Sequence, residues 1–192
     1  MRKNTSKFFF FAGFTILLFI IAFTACSATG DRESVSGETL NSIKDRLRHL
    51  EDREEIRRVL MDYGRFLDRR DFESFARLFA EKDGEWIGGM GKAKGRQAIL
   101  DLMEETIGVN SLGIEPNNYH LFANDSIDLD GDSATAVTKW VFMVPNADGQ
   151  PEPFYLGHYE DTLVREKGQW KFLRRVVYSD IPADNPEAGR TE

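Results

Sequence analysis

Two side chains have the chemistry and the setting for proton transfer. His120 stands in Tyr119-His120-Leu121-Phe122-Ala123-Asn124, a run that reads as a strand with His120, Phe122 and Asn124 on one face. An imidazole facing an apolar interior can act as general base or acid near neutral pH. Asp68 follows Phe66-Leu67 at the edge of a helical apolar stripe, where a carboxylate can hold a histidine in one tautomer. Tyr63 lies in the middle of that stripe, and a buried phenol needs a partner or can donate to a ligand oxygen. Each has a plainer alternative. His120 can be an interior histidine satisfied by one hydrogen bond. Asp68 can belong to the solvated cluster Asp68-Arg69-Arg70-Asp71. Tyr63 can cap an internal carboxylate.

Trp86, Phe122, Asn124, Trp140 and Phe142 are candidate pocket-lining residues around these groups, although such aromatics also build ordinary cores. His158 shares parity with Phe154, Leu156 and Glu160, whereas Tyr159 shares it with Gly157, Asp161 and Leu163. The sequence leaves open which set faces inward, so both His158 and Tyr159 are candidates. Arg174 shares a face with Trp170, Phe172 and Val176. An inward arginine there requires an acid or an anionic ligand.

These residues must be carried by a small set of elements. Leu40, Ile43, Leu47 and Leu50 form one helical stripe; Ile56, Val59, Leu60, Tyr63, Phe66 and Leu67 form another on nearly the opposite side. The pattern predicts a spacer helix over 40–50 joined to a core helix. A short helix follows Asp71, a short strand covers Trp86-Ile87, and a third helix spans 95–108 before a loop over 109–118. Asp130-Gly131, Asn146 to Gly149 and Lys167-Gly168 then punctuate four antiparallel strands. Ile127 and Leu129 have the opposite parity to His120, so a bulge is expected near Asp125-Ser126. The expected class is α+β: a cone-shaped curved antiparallel sheet wrapped around a long N-terminal helix, with two further helices.

Composition narrows the function. The chain has 192 residues, 41% of them hydrophobic, enough for one domain with a core. Its net charge of −7 argues against a nucleic-acid partner. Residues 1–25 combine a basic start with an uncharged stretch over 8–25, the pattern of a signal peptide. Phe23-Thr24-Ala25-Cys26 resembles a lipobox, making the single cysteine, Cys26, the expected lipidation site. An uncleaved membrane anchor is the alternative. Either way the domain is expected to be extracytoplasmic and membrane-attached, at the outer membrane in a Gram-negative cell because Ser27 follows Cys26. Residues 26–39 read as a tether and 183–192 as a flexible tail. Asp128 to Asp132 lacks the spacing of a calcium loop, and Gly88 to Lys92 lacks that of a phosphate loop. Neither a metal nor a cofactor is expected.

Four stretches, taken in order, resemble a known family. Tyr63-Gly64-Arg65-Phe66-Leu67-Asp68-Arg69-Arg70-Asp71-Phe72 is similar to the opening helix of SnoaL-like domains, and Gly95-Arg96-Gln97-Ala98-Ile99 to the start of their third helix. His120 to Asn124 with Ile127 to Ala134 resembles their first long hairpin. Gly157-His158-Tyr159-Glu160-Asp161 and Trp170-Lys171-Phe172 with Arg174 resemble their last strands. The similarity covers 51–182 and implies the nuclear transport factor two-like fold, whose members include polyketide cyclases, ketosteroid isomerases and scytalone dehydratase. The dehydratase's Asp at the end of the first helix and His on the first long strand match Asp68 and His120. The Tyr before its Asp is replaced by Leu67, and its second His falls near Asn146. The resemblance implies a cofactor-independent lyase or isomerase acting on a small apolar or aromatic molecule. The rival is a non-catalytic module of the same fold. A homodimer through the outer face of the sheet is also expected.

Overall fold

The computed structural model describes residues 37–108 and 117–184, except for the side chain of Asn124. Cys26, and with it the expected signal segment and lipid anchor, lies outside the described residues. Helix α1 (Gly37–Asp68) is continuous across the two apolar stripes. No proline interrupts it, so nothing breaks its backbone ladder. Only the second stripe is buried, through Ile56, Leu60, Tyr63 and Leu67; Leu40, Ile43, Leu47 and Leu50 stay exposed. Helix α2 (Phe72–Ala76) is capped by Asp71, whose carboxylate accepts from the Ser74 amide at 3.0 Å. Strands β1 (Glu85–Gly88) and β2 (Gly91–Lys94) form a hairpin where the sequence suggested only glycine breaks after one strand. Helix α3 (Arg96–Met103) runs into a π-helical turn over Glu104–Gly108.

The long strands are β3 (Tyr119–Asp130), β4 (Ser133–Pro145), β5 (Pro151–Glu166) and β6 (Gln169–Ile181), with a two-residue β7 (Ala183–Asp184) against β6. The order is β2-β1-β6-β5-β4-β3. This corrects the expectation of a cone of antiparallel strands. The sheet is open, with β2 and β3 at opposite ends of the path, and it is mixed, because β1 runs parallel to β6. The parallel pair has a topological cause. β1 reaches β6 from the helical half of the chain through a crossover, whereas the strands from β3 to β6 are joined by hairpins and must alternate in direction. The α+β class and the long N-terminal helix stand.

The core lies between the helices and one face of the sheet. Ile56, Leu60, Phe75, Phe79, Ile99, Met103, Leu163 and Phe172 are at most 1% exposed, each worth about 1.5–3 kcal/mol of burial. The expected bulge is present: the β3–β4 register shifts between Ala123 and Ser126. It brings His120 and Phe122 onto the same side as Ile127 and Leu129. The bulge is also a docking point for α1. Arg57 donates Nε and Nη2 to Asp125 Oδ2 at 3.1 and 3.0 Å, and Arg53 donates to the Ile127 carbonyl. Beside Arg53 on the same helix, Asp52 pairs with Arg165 of β5, whose guanidinium stacks over Trp170 at 4.7 Å. These ties set α1 against β3 closely enough that Gly64 has no room for a side chain. A Cβ there would fall 2.5 Å from Phe122 Cζ and 2.9 Å from His120 Cβ.

Candidate active site

Asp68 is placed by the way α1 ends. Arg70 takes the left-handed conformation at φ 58°. The Asp71 amide donates to the Phe66 carbonyl at 2.9 Å and the Arg70 amide to the Leu67 carbonyl at 3.0 Å. That pair of bonds is a Schellman motif, here built on arginine instead of the usual glycine. It stops the helix with the Asp68 carboxylate turned toward the start of β3. Three groups then hold the carboxylate. Asn118 Nδ2 donates to Oδ1 at 2.7 Å, the His120 backbone amide donates to Oδ2 at 3.0 Å, and His120 Nδ1 lies 2.6 Å from Oδ1. A carboxylate accepts, so in the neutral ring Nδ1 carries the hydrogen and Nε2 keeps its lone pair. The His120 ring is packed at 4.7 Å against Phe142.

His120 lines a cavity of about 430 Å³. Tyr63, Trp86, Trp140, Phe142 and Tyr159 supply its aromatic wall, and Arg70, Ser179 and Asp184 its polar groups. This is the balance of ligand pockets generally: mostly apolar, with a few polar groups to set orientation. Among the described residues, no three His, Cys, Asp or Glu side chains converge as metal ligands.

Beneath the wall lies a fully buried ion pair. Arg175 donates Nε and Nη2 to the two oxygens of Asp161, both at 2.7 Å, and neither side chain is exposed. The Arg175 guanidinium also sits 4.0–4.2 Å from the ring centroids of Tyr63, Tyr159 and Phe172. Burial opposes its charge, but the Asp161 carboxylate outweighs burial and keeps it protonated. Burial pushes the Tyr63 phenol up to about 12, against the pull of Arg175 and the hydrogen bond from Trp86. It pushes Tyr159 well above the ordinary tyrosine value too. Trp86 Nε1 donates to the Tyr63 hydroxyl at 2.9 Å, which leaves that hydroxyl's own hydrogen for another acceptor.

The raised tyrosine has a measurable consequence. A phenol whose folded value exceeds its unfolded value keeps its proton longer in the native state, so its stabilisation is complete below about pH 10 and is lost as pH rises through about 12. Thermal unfolding followed across this window is expected to show a loss of about 2–3 kcal/mol from Tyr63. The Tyr63→Phe chain should lose correspondingly less. An unchanged alkaline profile in that variant would refute the assignment.

Of the residues singled out from sequence, Tyr63, Trp86, His120, Trp140, Phe142 and Tyr159 line the cavity, and Asp68 stands behind His120. Phe122 is half-buried beside His120 and Tyr159 without lining it. The Tyr159 set of β5 faces the core, and the His158 set faces away. His158 Nδ1 pairs with Asp180 at 2.9 Å and its ring stacks on Tyr178. Arg174 pairs with Glu85 at 3.4 Å, outside the cavity. The inward arginine is its neighbour, Arg175. The β5–β6 register moves from Thr162–Arg174 to Leu163–Phe172, so Leu173 is an extra residue in β6 and the alternation reverses there. Asp161, on the Tyr159 face among apolar neighbours, was the sequence signal for such a partner.

Comparison with known proteins agrees with this architecture. An uncharacterized protein of Mycobacterium tuberculosis is 30% identical over 128 residues, covering 66% of this chain and 84% of its own length. The structure of an NTF2-like protein with a cystatin-like fold from Novosphingobium aromaticivorans superposes with a TM-score of 0.66 at 30% identity, over 74% of this chain and 90% of that one. A provisionally assigned scytalone dehydratase from the same organism gives 0.59 at 30% identity, over 75% and 97%. The profile of the SnoaL-like domain spans residues 48–176, from the buried half of α1 into β6; the chain belongs to the SnoaL-like domain family.

Proposed function

We propose that the cavity is the active site of a cofactor-independent lyase or isomerase for a small cyclic or aromatic carbonyl compound. The observation that carries this reading is the Asp68–His120 contact at 2.6 Å beside an aromatic-walled cavity. In a dehydration, His120 Nε2 removes the proton next to the substrate carbonyl. The carbon–carbon double bond forms, the carbon–oxygen bond breaks, and the departing hydroxide takes the proton back from His120 as water. Asp68 orients the ring and stabilises the imidazolium. The Tyr63 hydroxyl, already accepting from Trp86, donates to the carbonyl oxygen as charge builds there. The likeness to a provisionally assigned scytalone dehydratase supports elimination over the other reactions of the class.

The test uses β-hydroxytetralone, which loses water to give naphthol, a fluorescent product. Accelerated naphthol formation is expected. Binding of tetralone without turnover of this or related cyclic hydroxy ketones would instead establish a ligand-binding module.

The same proposal attaches the domain to an extracytoplasmic membrane surface through Cys26, on the support of the sequence of residues 1–26. It also pairs two copies through the outer face of the sheet, supported by the exposure there of Tyr119, Leu121 and Val137. The Leu121→Lys chain is expected to sediment as a monomer where the parent sediments as a dimer; a monomeric parent refutes the pairing.

A further inference from the structure

A second cavity, of about 180 Å³, shares no residue with the first. It lies where the segment after α2 and the start of α3 meet the β5–β6 turn. Four cations line it, Arg77, Arg96, Lys167 and Lys171, with only two carboxylates, Glu81 and Glu166. This is a local excess of two positive charges on a chain whose net charge is −7. The carboxylates are already engaged. Glu81 takes Lys167 at 2.9 Å. Glu166 accepts the Glu81 amide at 3.1 Å and stands 3.7 Å from Arg96.

The remaining cations are only partly compensated. Lys171 Nζ donates to the carbonyl of Arg77 at 2.8 Å, a neutral acceptor. Arg77 finds Ser74 at 2.8 Å and Glu73 at 3.4 Å, both on its own side of the cleft. Arg96 donates Nη2 to the Phe79 carbonyl at 3.0 Å, but its Nε is buried with no partner. A buried donor left unpaired costs stability, and converging like charges add to that cost. Burial, and after it the nearby Arg96, pushes the Lys171 ammonium down, against the pull of Glu166.

We propose that this cleft binds a small doubly charged oxyanion of the phosphate-monoester class. Such a group matches the excess charge. Its oxygens can accept from Lys171 and from the guanidinium groups of Arg77 and Arg96, and arginine suits that geometry. The chemistry is shared by free phosphate esters and by a lipid with a phosphomonoester headgroup. The site is independent of the proposed catalysis and stands or falls separately.

The test follows the Arg96 Nε–H signal by nitrogen–proton NMR at near-neutral pH. Inorganic phosphate is titrated against chloride of equal ionic strength. A saturable downfield shift with phosphate alone is expected. Lys171→Met should weaken it about three- to ten-fold, whereas Lys139→Gln, which removes an exposed cation elsewhere, should not. Co-sedimentation with phosphatidylcholine vesicles containing phosphatidic acid then identifies a lipid source, and phosphate binding without it a soluble one. An equal response to chloride, or one insensitive to Lys171→Met, overturns the proposal. Should Lys171→Met not fold, the parent's phosphate-against-chloride comparison decides.

Discussion

Replacing Asp161 with alanine is expected to destabilise the domain by about 3–5 kcal/mol, the usual consequence of removing one partner of a buried ion pair. Neither side chain of the Asp161–Arg175 pair is exposed, so bulk solvent does not reach the guanidinium that loses its carboxylate. Arg175 Nη1 already lacks a hydrogen-bond partner, and the variant would orphan Nε and Nη2 as well. The faces of Tyr63, Tyr159 and Phe172 still attract the guanidinium, at about 0.5–2 kcal/mol for each cation–π contact. They cannot replace two charge-assisted hydrogen bonds. Urea unfolding checks the figure, and a loss below about 1 kcal/mol would show that the pair is dispensable. The joint change Asp161→Leu with Arg175→Met is expected to recover most of the loss, because the buried charges then vanish together. It would also remove the cation from under two cavity tyrosines. A stable double variant therefore separates the pair's contribution to folding from any contribution to the site.

That pair also marks where sequence reasoning reached its limit. The hairpins at Asp130-Gly131 and Lys167-Gly168 were legible because their turn chemistry is local; Lys167 and Gly168 take φ 52° and 80°, both left-handed as a type I′ turn requires. The bulge near Asp125 was legible because two apolar runs of opposite parity cannot both face one core without it. No such conflict surrounds Leu173. Its neighbours are mixed enough that either parity reads plausibly, so Arg174 looked inward and Arg175 did not. The openness of the sheet was illegible for a different reason. Strand patterning reports which face is buried, whereas the parallel β1–β6 pair and the free ends at β2 and β3 depend on contacts between segments distant in the chain. Asp68 and His120 are likewise 52 residues apart. Their types and their resemblance to family motifs suggested a partnership, and the Schellman end of α1 with the β3 bulge is what brings them together.

The strongest functional consequence of that partnership is a loss of turnover without a comparable loss of binding. His120→Ala is expected to slow naphthol formation from β-hydroxytetralone by about 10²–10⁴, the range for a positioned general base. Affinity for tetralone should change little, because Trp86, Trp140, Phe142 and Tyr159 still wall the cavity. Asp68→Asn is expected to act through the tautomer. The carboxylate can only accept, which keeps the hydrogen on Nδ1 and the lone pair on Nε2. An amide can present its NH₂ to Nδ1 instead, so the hydrogen moves to Nε2 and the base is lost with the ring still in place. Nitrogen NMR of labelled His120 reads this directly: hydrogen on Nδ1 in the parent, on Nε2 in the variant. Turnover should fall with that change, while a purely structural carboxylate would lower stability without moving the hydrogen. If both variants keep parental turnover, His120 is an interior histidine satisfied by Asp68, and the chemistry, if any, belongs to Tyr63 and its neighbours.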